Sequence, residues 1–101
     1  MPIYMTARFT VKPESVDLCK EAIAEFVDHV TRNEPDTRMY VSMQNAETHT
    51  EFLHVFIFED EAAEEHHANS EAVQKFTSIL YPECLAPVEF TPYLLVASTE
   101  E

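Results

Sequence analysis

Two histidines hold most of the chemistry open to this chain. Imidazole is the one side chain whose ordinary titration falls near neutral pH, so it is the usual general base. His67 stands in an acidic, alanine-rich stretch, Glu61-Ala62-Ala63-Glu64-Glu65-His66-His67. It could take a proton from a bound molecule, or it could merely bridge a helix and a sheet. His54 lies between Phe52 and Phe56, with Phe58 beyond. A polar group among aromatic rings is the usual makeup of a small-molecule pocket, although a satisfied interface histidine would look the same. Tyr40, Tyr81 and Arg8 could orient an oxygenated ring, or serve as ordinary structural residues, since tyrosines often sit at interfaces with a paired hydroxyl.

Other constellations carry less. Glu64-x-x-His67 matches half of a carboxylate di-iron site, but such sites draw a second pair from another helix. Glu51-x-x-His54 has the same spacing on a strand, where i and i+3 point to opposite faces. No metal is expected. Cys19 falls on an apolar helical stripe and Cys84 in a loop with nothing nearby to lower its pKa. Two cysteines make no disulfide framework and no metal spacing. Glycine is absent, so no Gly-rich loop cradles a phosphate.

The elements that must position these residues follow from periodicity. Ile3 to Val11 alternates between apolar and polar, as a strand does. Pro13 and Ser15 open a helix whose stripe is Val16, Cys19, Ile23, Phe26, Val27 and Val30, and Asn33-Glu34-Pro35-Asp36 stops it. Thr37–Gln44 alternates again. A polar turn leads to Glu51–Glu59, apolar on both faces: Leu53, Val55 and Ile57 on one, Phe52, His54, Phe56 and Phe58 on the other. Such a strand is buried on both sides. Asp60 caps the next helix, which breaks near Asn69-Ser70 and ends at Pro82. The spacing predicts a last strand over Val88–Ala97, with Pro92 placing it at an edge or a bulge.

The order β-α-β-β-α-β is that of a ferredoxin-like α+β fold with a four-stranded antiparallel sheet. At 101 residues there is room for one domain, residues 1–97, with 98–101 as a solvated tail. Both helices should cover one face of the sheet. The aromatic face of the third strand is expected to be the other one, sheltered by a second copy of the chain in a homodimer.

Nineteen acidic and six basic residues give a net charge of −13, a field that repels phosphate backbones and anionic lipid. Nucleic-acid and membrane partners are therefore not expected. No apolar run reaches membrane-spanning length and the start lacks a signal-peptide layout, so the cytoplasm is the expected location.

Three local features together resemble the antibiotic biosynthesis monooxygenase domain family of dimeric α+β barrels. Asn33-Glu34-Pro35-Asp36-Thr37 followed by Tyr40 is similar to the family's N-E-P-G-T-x-x-Y link. Phe52-Leu53 through Phe58-x-Asp60-Glu61-Ala62-Ala63 is similar to its strand and acidic-alanine helix start. His67 and Ser70 stand where the family shows a histidine and a small hydroxylated residue. Two departures are Phe56, where many members carry glutamate, and Asp36 in place of the turn glycine. Members that degrade haem carry asparagine, tryptophan and histidine where this chain has Ala7, His67 and Thr77. The resemblance implies a cofactor-independent monooxygenase acting on a small aromatic, phenol- or quinol-like molecule. His67 would be the base, His54 a second catalytic group, and Tyr40, Arg8, Phe52, Phe56, Phe58 and Tyr81 the pocket. A homodimer of the same fold that binds a small molecule without catalysis, or isomerises it, is the alternative.

Overall fold

A computed structural model describes residues 1–100; Glu101, the last residue of the expected solvated tail, lies outside the described residues. The chain runs β1 (Ile3–Thr10), α1 (Val16–Asn33, entered through a 3-10 turn at Pro13–Ser15), β2 (Thr37–Gln44), β3 (Glu51–Phe58), α2 (Glu61–Ala68), α3 (Glu71–Leu80) and β4 (Glu89–Tyr93). The four strands form one antiparallel sheet in the order β2-β3-β1-β4. The α+β ferredoxin-like class read from the sequence is the observed one.

Local chemistry sets the element ends. Asp60, in extended conformation, accepts a hydrogen bond from the Ala63 backbone N–H at 2.9 Å and so starts α2. Ser70 does the same for Val73 at 3.1 Å, which turns the expected break into two separate helices. Proline at 92 sits in β4, an edge strand, where a missing N–H leaves no ladder bond unmade. The last strand is shorter than its alternation suggested. Its partner β1 begins at Ile3, and Tyr4 pairs with Tyr93, so Leu94 reaches Ile3, the last residue of β1 on that side, and those after it have run past the end of the sheet. Leu94 and Val96 are consequently 92% and 96% exposed.

The stripe on α1 packs as read: Cys19, Ile23, Phe26 and Val30 are buried, with Ala22 beside them. The sheet face it covers is not the one expected. Register places Ala7 opposite His54, Phe9 opposite Phe52 and Met5 opposite Phe56. Phe52, His54, Phe56 and Phe58 are all buried, and the three phenylalanines join the cores formed with α1, α2 and α3. The aromatic face thus lies under the helices, inside one chain. Phe26 explains the choice: it stacks on Phe76 of α3 (centroids 4.6 Å apart) and meets the Tyr40 ring edge-on at 5.3 Å, so aromatic surface packs on aromatic surface. The outer face carries the aliphatic set instead. Leu53, Val55 and Ile57 are half-buried there, and Met39, Val41 and Met43 of β2 are exposed.

Candidate functional site

Between the helices and the sheet lies a cavity of about 310 Å³, within the size range of sites for small organic molecules. Strand β1 supplies Ala7 and Phe9, and β3 supplies His54, Phe56 and Phe58. Tyr40 closes the side toward β2, and Phe26, His67 and Phe76 form the helical wall. Glu64, Ala68 and Tyr81 also line it. Among the described residues no lysine or arginine does.

His67 is positioned from two sides. Helix α2, fixed by the Asp60 cap, carries it over Phe58, whose ring centroid is 5.0 Å away. The chain between α1 and β2 brings Glu34 beneath it, and His67 Nδ1 lies 2.7 Å from Glu34 Oε1. That oxygen also accepts from Thr37 Oγ1 at 2.9 Å. Because a carboxylate can only accept, it fixes the proton of neutral His67 on Nδ1 and leaves the lone pair on Nε2. Glu34 is 4% exposed, and its Oε2 has no protein partner.

A second polar pair stands beside the first. Tyr40 Oη and His54 Nδ1 are 2.8 Å apart. Burial lowers the His54 pKa to about 4, so the ring is neutral at pH 7. Burial, reinforced by the Glu34 and Tyr81 charges, pushes the Tyr40 hydroxyl well above its ordinary range and keeps its proton in place. The Tyr40 ring lies between the histidines, with centroids 5.3 Å from His54 and 5.7 Å from His67.

Of the residues singled out in the sequence, His67, His54, Tyr40, Phe56, Phe58 and Tyr81 meet at this cavity. Arg8 and Phe52 do not. Arg8 alternates with buried Ala7 and Phe9, so it is exposed on the opposite face of the sheet. Phe52 stacks on Phe9 at 5.4 Å and fills the core beyond the cavity. Glu34 was missed as a site residue, though the sequence carried a sign of it. A carboxylate at a helix C-terminus is opposed by the helix dipole, so it needs some other partner. Burial above all raises the thiol pKa values of Cys19 and Cys84, which favours the less reactive protonated form. Among the described residues no group of three His, Cys, Asp or Glu side chains converges as a metal-holding cluster.

The sequence pattern of antibiotic biosynthesis monooxygenases matches residues 2–78, more than half of the chain. The chain belongs to that family. No curated protein matches it in sequence. Solved structures bearing the same family name or fold superpose closely. A Bacteroides thetaiotaomicron protein named for antibiotic biosynthesis monooxygenase aligns with a TM-score of 0.91 at 16% identity, covering 99% of this chain and 94% of that one. Rv0793 from Mycobacterium tuberculosis gives 0.88 at 18% identity, over 99% and 100% of the two chains. SnoaB, a cofactor-independent oxygenase from Streptomyces nogalater, gives 0.83 at 11% identity, over 99% and 98%. At these identities the likeness speaks for the fold. Among the described residues of this antibiotic biosynthesis monooxygenase relative, no helix is long and apolar enough to cross a membrane.

Proposed function

We propose that the cavity binds a small phenol- or quinol-like molecule and that the protein oxygenates it without a cofactor. The observation that carries this reading is the imidazole of His67, backed by the buried Glu34 carboxylate at 2.7 Å on the wall of an aromatic cavity. His67 Nε2 takes the phenolic proton. The resulting anion is electron-rich enough to pass an electron to molecular oxygen itself. In the balanced reaction a phenol and O2 give a quinone and water. One oxygen atom becomes a carbonyl at the ring carbon opposite the hydroxyl, and the other leaves with the phenolic and ring hydrogens. The absence of lysine and arginine from the cavity lining suits a neutral substrate better than a carboxylate or phosphate.

The same reading includes a homodimer. Met39, Val41 and Met43, with Leu53, Val55 and Ile57, form an apolar outer face on the sheet, a surface that a second sheet would cover. The cytoplasm remains the location proposed for it.

The test is oxygen consumption by the purified, chelator-treated, colourless protein with a panel of quinols and polyphenols. Uptake that disappears in His67→Ala, with the oligomer intact, is expected. Equal uptake by that variant removes His67 from the mechanism. A non-oxidative role as binder or isomerase is supported by the presence of two histidines on one cavity. Conversion or binding of a phenol with no oxygen consumed would establish it in place of oxygenation.

A further inference from the structure

His54 is a wall residue of the cavity, 1% exposed, and its Nε2 has no hydrogen-bond partner. Buried polar atoms are nearly always paired, so an orphan at a cavity wall asks for a ligand atom. What that atom must be follows from counting protons. If His54 Nδ1–H donated to Tyr40, the tyrosine hydroxyl would still have to give its own proton to an acceptor, and none other than His54 lies within reach among the described residues. If Tyr40 O–H donates to Nδ1, the tyrosine is satisfied and only one group remains unpaired, the His54 Nε2–H. The second arrangement leaves fewer buried groups unmatched. It makes His54 a buried donor on the cavity wall.

Given the phenolic guest proposed above, the geometry points to His54 as a second catalytic residue, donating Nε2–H to the substrate oxygen on which negative charge gathers as His67 removes its proton. The two histidines then divide the work. His67, with its proton held on Nδ1 by Glu34, offers a lone pair; His54, with its lone pair on Nδ1 taken by Tyr40, offers a proton. A neutral imidazole donor suits this place because no lysine or arginine lines the cavity to balance a phenolate. The other titratable groups along the cavity are Glu64 on α2 and Tyr81 after α3. Glu64 as a carboxylate can only accept; of the hydroxyls that line the cavity, Thr77 donates to the Gln74 carbonyl and Tyr81 is 48% exposed, which leaves His54 Nε2–H as the buried donor without a partner.

The probe is 1-naphthol, a phenol whose ionisation is read by absorbance, bound anaerobically to the protein while the pH is raised. In wild type the bound naphthol should ionise at least one pH unit lower than in His54→Phe, a roughly tenfold larger ionised fraction at a given pH. His54→Gln, whose amide can donate in place of the ring, should recover part of the difference. Tyr40→Phe, which frees the imidazole tautomer, should lose part of it. Because His54→Phe alters the core, thermal unfolding accompanies each titration, and the Gln and Tyr40→Phe comparison stands if the Phe variant does not fold. With a quinol that is turned over, kcat should fall about 10²-fold in His54→Phe with KM little changed. Naphthol that ionises alike in wild type and all variants, or that does not bind, overturns the assignment. Oxygen uptake with unaltered naphthol ionisation sinks the role of His54 and leaves the oxygenase reading standing. The ionisation shift without oxygen uptake does the reverse.

Discussion

Glu34 and His67, 33 residues apart in sequence, meet in the folded chain at 2.7 Å, carboxylate to imidazole Nδ1. The pair joins the C-terminal end of α1 to α2, and it does two things at once. It gives a buried carboxylate its partner, and it fixes which nitrogen of His67 faces chemistry as a base.

Replacing Glu34 by Gln should therefore damage activity more than stability. The amide has nearly the same shape, but its NH2 can donate to Nδ1 and draw the lone pair there, leaving the proton on Nε2 where a base is needed. General-base assistance contributes about 10² to 10⁴ in rate, so oxygen uptake with a quinol should fall at least ~10²-fold while the melting temperature moves little. A Gln variant that turns over at the wild-type rate would show that Glu34 only supports the fold.

His54 ties stability to pH. Its folded pKa, lowered by burial from 6.5 to about 4, means that below pH 6.5 the unfolded chain binds the proton that the folded chain refuses. Neutral His54 thus contributes no penalty above that pH, and stability is lost as pH falls from about 6.5 through about 4. One pKa unit corresponds to about 1.4 kcal/mol, so the full window amounts to ~3 kcal/mol. Urea unfolding of wild type and His54→Phe across this range isolates the effect from the many carboxylates. The difference between the two should change by that order as the pH falls, and parallel curves would contradict the burial of the ring.

Much of this architecture was legible in the sequence, and the parts that were not failed for definite reasons. Strand β2 over Thr37–Gln44, the Asp60 cap and the break before Glu71 rest on local signals, period-2 alternation and capping side chains, which the tertiary fold left in place. The facing of β3 was different. Alternation sorts Phe52, His54, Phe56 and Phe58 from Leu53, Val55 and Ile57, but when both sets are apolar it cannot say which set the helices cover. That was decided by Phe26 and Phe76, distant in sequence, whose stacked rings accept the aromatic set. The same reversal moved the pocket from between two chains to the interior of one. Arg8 fell outside through that reversal, since Ala7 and Phe9 take the buried face and leave Arg8 on the outer one, where the pocket had been expected.

Ala68 offers a way to close the cavity without disturbing the core. It lines the cavity yet is exposed at the end of α2, so a larger side chain there projects into the entrance with no overpacking of buried neighbours. Ala68→Trp should leave the unfolding free energy within ~0.5 kcal/mol of wild type and weaken binding of 1-naphthol at least tenfold. Unchanged affinity, read by fluorescence titration, would mean that ligands enter or lie elsewhere.

The outer face of the sheet gives the last expectation. Val41 lies on β2 opposite Val55, between Met39 and Met43, and is 37% exposed. In a homodimer built on this face, Val41→Glu places a carboxylate in each copy where apolar surface should meet, and burying an unpaired charge is strongly unfavourable. Each chain already carries a net charge of −13, so the added charges also raise the repulsion between copies. The dimer dissociation constant should rise at least tenfold, about 1.4 kcal/mol, in sedimentation at micromolar concentration. Val41 has no place in the cavity lining, so the separated chains should still bind 1-naphthol. Wild type that sediments as a monomer at the same concentration would refute the dimer directly. A Val41→Glu protein that stays dimeric would move the interface to another surface.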